Sequence, residues 1–215
     1  MIMNYKRFPL GPLLTNGYLI SDSGQNAIFV DPGGDTGELL EYIKSRDLML
    51  IAILLTHGHL DHILGIEGLL NDKGFSFPCV YIHPNDREKL SDPDKNLSEW
   101  MDIPFSTHVN AMDINDNDIL NIGGMTIKVI HTPGHTAGSV CFHISEGDEE
   151  VLVSGDTLFA SSIGRTDLPG GDHEELIHSI AKLDLLPDSL HVLPGHGPET
   201  TIGRERKINP FWPKG

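Results

Sequence analysis

One short segment of the chain concentrates side chains that bind metal ions. Three histidines and one aspartate fall within six residues: His57, His59, Asp61 and His62. Imidazole and carboxylate groups are the ligand types that suit zinc, iron and manganese. Any one of these histidines alone would more often be structural, but four such side chains at this spacing predict a metal site.

Three further segments place a metal-binding side chain beside a glycine, each just after an apolar run. They carry His135, Asp156 and His196. In open catalytic metal sites, the ligands come from loops that are far apart in sequence and meet at strand ends. We therefore expect these three side chains to join the histidine-rich segment in one site.

The elements predicted around these residues are strands followed by loops. Residues 50–55 form a continuous apolar run directly before the histidine-rich segment, as in a strand that is buried on both faces. Residues 17–21 and 26–31 predict a hairpin, and residues 63–70 predict a helix. Further strands are predicted at residues 80–82, 125–131, 139–144, 151–153 and 191–193.

Two capping-box patterns predict where helices begin. Asp35 is followed three residues later by Glu38, and Asp172 by Glu175, each before apolar residues at helical spacing. Strands and helices therefore mix in both halves of the chain. This pattern predicts an α/β fold with sheets inside and helices outside, in a single domain spanning residues 1–215.

Residues 84–118 are interpreted as a short helix followed by an irregular excursion, because they combine prolines with many acids and amides. An apolar cluster within this excursion is expected to lie in the core. If it covered the metal site instead, it would line a pocket for an acyl group. The cluster consists of Trp100, Met101, Ile103 and Phe105.

The charge balance excludes several classes of function. Thirty-one acidic residues against 15 basic ones give a formal net charge of −16, and this field repels nucleic-acid phosphates and anionic membranes. No run approaches the ~20 apolar residues that span a bilayer, and no secretory signal is recognisable. We expect a cytoplasmic protein that binds neither nucleic acid nor a membrane.

Cys79 and Cys141 lie in apolar runs and are expected to be buried free thiols.

The metal-binding side chains, in their order along the chain, resemble the ligand series of the metallo-β-lactamase superfamily. The resemblance spans residues 31–209 and implies a four-layer αββα sandwich with a dinuclear metal site between its sheets. It also implies which ligands belong together. The first ion would take His57, His59 and His135, the second would take Asp61, His62 and His196, and Asp156 would bridge the two.

The same resemblance assigns the remaining roles. It implies two divalent ions, with zinc expected first and iron or manganese as alternatives. Asp61 and Asp156 are the expected catalytic carboxylates, and Asp31 matches an aspartate that supports the ligands from behind, unless it is simply a turn residue. Arg165 lies where the family places a loop near the substrate, and it either binds a substrate carboxylate or is a solvated loop arginine.

Two longer phrases resemble the small bacterial glyoxalase II-like hydrolases. They are residues 162–167, Ser-Ile-Gly-Arg-Thr-Asp, and residues 194–203, Pro-Gly-His-Gly-Pro-Glu-Thr-Thr-Ile-Gly. The resemblance implies hydrolysis of a small-molecule thioester or ester, such as S-D-lactoylglutathione, by a metal-bridging hydroxide. It is to the short form, which lacks the C-terminal helical domain that binds glutathione in full-length glyoxalase II. A monomer and a homodimer both stay open.

Three alternatives share the same ligands. A persulfide dioxygenase with one non-haem iron would use His57, His135 and Asp156, and it shares the Gly-Arg-Thr-Asp phrase, but the phrase at 194–203 favours the hydrolase. A lactonase or β-lactamase would need a pocket for a ring substrate, which nothing in the sequence selects. A non-catalytic protein with a vestigial site would be expected to have lost ligands, whereas all seven positions are filled here.

Overall fold

The computed structural model describes residues 3–72, 74 and 78–213. These residues form two six-stranded sheets. In the first sheet the strands lie side by side in chain order, antiparallel from β1 to β3 and parallel from β3 to β6. They are β1 (Asn4–Leu10), β2 (Thr15–Ser21), β3 (Asn26–Val30), β4 (Met49–Leu54), β5 (Cys79–Ile82) and β6 (Ala111–Asp113).

The second sheet is built from the second half of the chain. Its strands are β7 (Ile119–Ile122), β8 (Met125–His131), β9 (Val140–Glu146), β10 (Glu149–Gly155), β13 (His191–Pro194) and β14 (Thr200–Thr201). A two-stranded hairpin, β11 (Leu158–Phe159) and β12 (Ser162–Ile163), follows β10. The order across the sheet is β14-β13-β10-β9-β8-β7, and β13 is parallel to β10.

The helices are short and connect the strands. They are α1 (Gly37–Ser45), α2 (Leu60–Ile63), α3 (Ile66–Leu70), α4 (His173–Lys182) and α5 (Ile202–Ile208). In the described part of the chain, three 3₁₀ helices occupy Pro84–Leu90, Glu99–Met101 and Leu183–Leu185. None of the helices in the described ranges is long and apolar enough to cross a membrane.

The core shows why the sandwich has four layers. Alternate residues of β3 point to opposite faces, so Ile28 packs between the two sheets while Phe29 packs on the outer face of the first sheet. Ile43 of α1 covers that outer face, and Ile180 of α4 covers the outer face of the second sheet. The order helix, sheet, sheet, helix confirms the predicted αββα sandwich.

Helix starts follow the predicted capping pattern in only one of two places. The Asp172 carboxylate accepts a hydrogen bond from Glu175 N at 3.0 Å and caps α4. The prediction that Asp35 caps α1 is wrong, because the N-cap is Thr36, which makes no capping side-chain bond. Asp35 instead accepts from Gly37 N at 2.9 Å, in a turn that precedes the helix.

Other predicted elements change in detail. The helix predicted at residues 63–70 is interrupted at Gly65, whose N–H donates to Pro32 O at 2.6 Å instead of continuing the helix. The strands β6 and β7 were not predicted, because each is short and half-exposed. Both cysteines are free, but the prediction that both are buried is wrong, since Cys79 is exposed on β5.

Candidate metal centre

All seven predicted metal-binding side chains come together at one edge of the sandwich. Their ligand atoms form three overlapping groups, and within each group the atoms lie within 4.8 Å of one another, close enough to hold an ion. The groups are His57, His59 and His135; His57, His62 and Asp156; and Asp61, His62 and His196.

The strands explain why residues so distant in sequence meet. In the second sheet β8, β10 and β13 all run in the same direction, because β9 is antiparallel to β8 and to β10 while β13 is parallel to β10. Their carboxyl ends therefore share one edge, where His135, Asp156 and His196 follow. The end of β4 in the first sheet brings the segment 56–62 to the same place.

The first group consists of imidazoles. His59 Nδ1 lies 3.0 Å from His135 Nε2, and the ring centroids of His57 and His135 are 4.8 Å apart. His135 Nδ1 lies 2.7 Å from the backbone oxygen of Arg165, so it carries the proton and donates it there. This bond fixes the orientation of the His135 ring and turns Nε2 toward the other imidazoles of the group.

The second group mixes imidazoles with a carboxylate. Asp61 Oδ2 lies 3.2 Å from His196 Nε2 and 3.6 Å from His62 Nε2, and it accepts a hydrogen bond from Thr15 Oγ1 at 2.7 Å. Asp156 lies between the two groups. Its Oδ1 is 3.4 Å from His62 Nε2, and its Oδ2 is 3.6 Å from His135 Nε2.

Asp31 supports the second group from behind. Its Oδ2 lies 2.9 Å from His62 Nδ1 and accepts from Thr56 Oγ1 at 2.6 Å, while its Oδ1 accepts from Thr56 N at 2.8 Å. The side chain is 1% exposed. This arrangement holds the His62 ring with Nε2 directed toward the other ligands.

The donor atoms themselves indicate what the cluster binds. Among the described residues, four buried side-chain atoms have no hydrogen-bond partner, and all four belong to this cluster: His57 Nε2, His59 Nε2, His62 Nε2 and Asp156 Oδ1. An unpaired buried polar atom costs about 1–3 kcal/mol, so their concentration in one place calls for a bound group. Nitrogen and carboxylate oxygen donors at these separations fit divalent metal ions.

The two ligand groups differ in protonation. Burial, reinforced by neighbouring imidazoles, lowers the pKa of His57 and His59 well below the ordinary value, so both rings are neutral. Burial would also lower the pKa of His62, but the carboxylates of Asp61 and Asp156 outweigh it and raise that pKa. Burial would raise the pKa of Asp61, but His62 outweighs it and lowers that pKa. His57 and His59 therefore offer neutral nitrogen atoms, and Asp61 offers an ionised oxygen.

A pocket of about 500 Å³ opens directly over the cluster. Trp100 and Met101 line it and Ile103 is 40% exposed, so the prediction that their cluster lies in the core is wrong for these three residues. Trp100 is 61% exposed, whereas Phe105 packs against the core on the outer face of the first sheet. Arg165 also lines the pocket, but its guanidinium makes two hydrogen bonds to the Asp167 carboxylate, at 2.8 and 2.6 Å.

Comparison with known proteins identifies the family. Residues 10–196 match the family model of the metallo-beta-lactamase superfamily. The chain belongs to this superfamily. The probable metallo-hydrolase YqgX of Bacillus subtilis is 40% identical over 97% of this chain and 97% of its own length. Hydroxyacylglutathione hydrolase GloC of Haemophilus influenzae is 36% identical over 97% of this chain and 98% of its own length.

Solved structures agree with this assignment. The B3 metallo-beta-lactamase BLEG-1 is 43% identical, with a TM-score of 0.89 over 97% of this chain and 99% of that one. TTHA1623, crystallised in a di-iron-bound form, is 34% identical, with a TM-score of 0.82 over 96% of this chain and 99% of that one. The predicted membership of the metallo-β-lactamase superfamily is confirmed.

Sequence reasoning missed several residues that position the ligands in this member of the superfamily. The buried Asp86 accepts hydrogen bonds from Gly58 N, between His57 and His59, and from Gly138 N in the loop after His135. It follows a predicted strand, as the ligands do, but no glycine lies next to it. No sequence signal identifies Thr15 as the partner of Asp61.

The loop that carries His196 is also held by residues the sequence did not single out. Asn16 Nδ2 donates to Pro194 O and to Gly197 O, both at 2.9 Å, and Tyr18 Oη donates to Pro194 O at 2.9 Å. These bonds join β2 of the first sheet to the end of β13 in the second. The two sheets are therefore linked by hydrogen bonds beside the candidate metal centre.

The other histidines lie outside the cluster. His131, the last residue of β8, stacks on His83 with ring centroids 4.1 Å apart. Its Nε2 lies 2.9 Å from Ala137 O. Among the described residues, the groups able to hold an ion contain neither of these two rings.

Proposed function

We propose that this protein is a metal-dependent hydrolase that cleaves thioesters at two divalent metal ions. The observation that carries this proposal is the set of four buried side-chain atoms in the cluster that have no hydrogen-bond partner, beneath an open pocket. The similarity to GloC, a hydroxyacylglutathione hydrolase, and to a probable metallo-hydrolase supports hydrolysis. The di-iron form of TTHA1623 supports a dinuclear centre, with zinc, iron and manganese all compatible with the donors.

The proposed ligand sets follow the groups in the structure. His57, His59 and His135 would hold one ion, and Asp61, His62 and His196 the other. Asp156 lies between these groups and would contact both. When bound, the ions would supply an activated water molecule and an electrophile for the substrate carbonyl.

The chain's own residues would orient the reactants. Asp61 lines the pocket and is held by Thr15, so it is the carboxylate best placed to accept or return a proton there. Asp156 also borders the pocket floor. A thiol leaving group with a pKa of about 8.5 departs as the thiolate with little acid assistance, so no separate acid is required.

The test measures activity and metal content together. Protein loaded with zinc, manganese or iron should release thiol from S-D-lactoylglutathione or from a neutral thioester, and chelator treatment should abolish the release. Asp156→Ala should lose turnover and bound metal, whereas Asp148→Ala, in the exposed turn between β9 and β10, should lose neither. Full metal-dependent turnover by Asp156→Ala would contradict the proposal. If the wild-type protein released no thiol but consumed oxygen with a persulfide substrate, that result would favour the dioxygenase.

A second activity is favoured by one comparison. The structure of BLEG-1, a B3 metallo-beta-lactamase, is 43% identical over nearly the whole of both chains. The same metal ions could serve the hydrolysis of a β-lactam amide, since the attack on the carbonyl is alike. Hydrolysis of a chromogenic cephalosporin, measured beside the thioesters with the same Asp156→Ala variant, would reveal it.

A further inference from the structure

The pocket over the metal centre is built mainly from apolar side chains. Leu13 comes from the turn between β1 and β2, Leu97 and Trp100 from the excursion after β5, and Phe159 and Leu168 from the segment after β10. Leu13 is 50% exposed and Trp100 is 61% exposed. Large apolar side chains grouped at the mouth of a site mark a surface that binds an apolar partner.

The excursion forms a fixed wall of this pocket. Asn96 is fully buried, and its Nδ2 donates to Lys89 O at 2.8 Å and to Phe105 O at 2.9 Å. Its backbone oxygen accepts from Leu60 N at 2.9 Å, which ties the wall to the helix that begins beside His59. The side chain of Trp100 is therefore presented to the pocket by a braced segment.

The described side chains that line the pocket include no unpaired lysine or arginine for an acidic substrate. Of the described residues that line it, Arg165 is the one lysine or arginine, and its guanidinium is paired with Asp167. Asp61 and Asp156 at the floor would be neutralised by the ions that they are proposed to hold. An acyl carboxylate set against the apolar walls would therefore find no unpaired lysine or arginine among the described lining residues.

We infer that the pocket selects thioesters whose acyl group is apolar, uncharged and larger than lactoyl, with Trp100 as the residue that determines this preference. The inference rests on the proposed thioesterase function. A lactoyl group would leave most of the cavity of about 500 Å³ filled with water, whereas a six-carbon or aromatic acyl group would cover the apolar walls. The thiol portion would extend toward solvent.

The experiment compares acyl groups on one small neutral thiol. S-acetyl, S-lactoyl, S-succinyl, S-hexanoyl and S-phenylacetyl N-acetylcysteamine are supplied to the metal-loaded protein, and kcat/KM is measured for each. Each buried methylene contributes about three- to fourfold, so kcat/KM for the hexanoyl ester should exceed that for the acetyl ester by at least about tenfold. The succinyl ester should be the poorest substrate.

Two variants test the role of the tryptophan. Trp100→Ala should reduce the hexanoyl-to-acetyl ratio of kcat/KM by at least about fivefold, and Trp100→Phe should retain most of it. Leu185→Ala, which removes a side chain that is 92% exposed and lies outside the pocket, should leave the ratio unchanged. A ratio unaffected by Trp100→Ala would overturn the assignment to Trp100.

Binding gives a readout that does not depend on turnover. In a Trp212→Phe background, Trp100 is the sole tryptophan, and N-methylhexanamide should quench its fluorescence at lower concentration than N-methylacetamide. Equal or reversed affinities, or turnover of all the thioesters with no dependence on acyl size, would overturn this inference alone. Turnover of no thioester would overturn the proposed function and this inference with it.

Discussion

Asp86 accepts a hydrogen bond from the backbone N–H of Gly58 at 2.8 Å, although β5 separates the two residues along the chain. The same carboxylate accepts from Thr136 Oγ1 at 2.8 Å and from Gly138 N at 3.0 Å. It therefore joins the loop of His57 to the loop of His135, and it is fully buried. Asp86 belongs to none of the three ligand groups, so it positions the loops that carry candidate ligands.

Replacing Asp86 by Asn should weaken the metal centre. An amide nitrogen in place of one carboxylate oxygen would face N–H or O–H donors, so at least one of the three bonds is lost. We expect metal affinity to fall about 10- to 100-fold, with a loss of about 2–4 kcal/mol in the free energy of unfolding. Competition with a chelator and denaturant unfolding measure the two effects.

The matched control for this variant is Asp113→Asn. Asp113 pairs with Arg87 on the 3₁₀ helix that also carries Asp86, but this pair is half-exposed. Exposed ion pairs contribute about 0–1 kcal/mol, so both readouts should stay near the wild-type values. Equal effects of the two substitutions would refute the role of Asp86.

Asp31 should prove equally necessary, for a different reason. Its carboxylate accepts hydrogen bonds from Thr56 and lies within hydrogen-bond distance of His62 Nδ1. Its backbone is in the left-handed region, with φ of +55°. Asn tolerates this conformation, so Asp31→Asn removes the charge without backbone strain. We expect a loss of about 10- to 100-fold in metal affinity or in kcat/KM. A Thr56→Val variant should share part of this loss, and wild-type affinity in both would show that His62 needs no support.

The Arg165–Asp167 pair should control tolerance of acidic substrates. Hydrogen bonds from Arg165 lower the pKa of Asp167 to about 2, so the pair stays ionised throughout the neutral range. Asp167→Asn would free the guanidinium, and kcat/KM for the S-succinyl thioester should rise several-fold relative to the S-acetyl thioester. The melting temperature should hardly change, because both side chains are exposed. An unchanged ratio would show that Arg165 does not reach the substrate.

The two cysteines should differ in reactivity. Burial raises the pKa of the Cys141 thiol to about 11, whereas Cys79 is exposed on β5. Thiolate is the nucleophile, so iodoacetamide should modify Cys79 in the native protein and should reach Cys141 only after unfolding. Mass spectrometry of the peptides before and after urea treatment measures this. Modification of Cys141 at the same rate as Cys79 in the native protein would contradict its burial.

The ligand series carried most of the information that the sequence held about the site. His57, Asp156 and His196 were each marked by an apolar run before them, because a buried strand delivers its end residue to the edge of a sheet. Their convergence was therefore foreseeable. The single domain, the cytoplasmic location and the lack of a nucleic-acid partner stay predictions.

The residues that the sequence did not reveal act through contacts across the fold. Asp86 bonds backbone groups on two other loops, and Asn16 bonds the loop of His196 from the opposite sheet. Such partners depend on tertiary placement and leave no local periodicity. Trp100 was assigned to the core because its apolar neighbours resemble a core segment, and pattern alone does not separate a core from a pocket wall.

Gly164 offers a test of how tightly the pocket loop is packed on the metal centre. A Cβ at this position would lie 1.8 Å from the backbone oxygen of Asp156, which cannot move without shifting that ligand. Gly164→Ala should therefore lower metal affinity and destabilise the fold by about 2–4 kcal/mol. Gly37→Ala is the control, because its nearest neighbour is the flexible carboxylate of Asp35, and alanine at this first residue of α1 should be neutral or stabilising by up to about 1 kcal/mol. Wild-type metal affinity in Gly164→Ala would mean that the loop carrying residue 164 shifts to admit the methyl group without displacing Asp156.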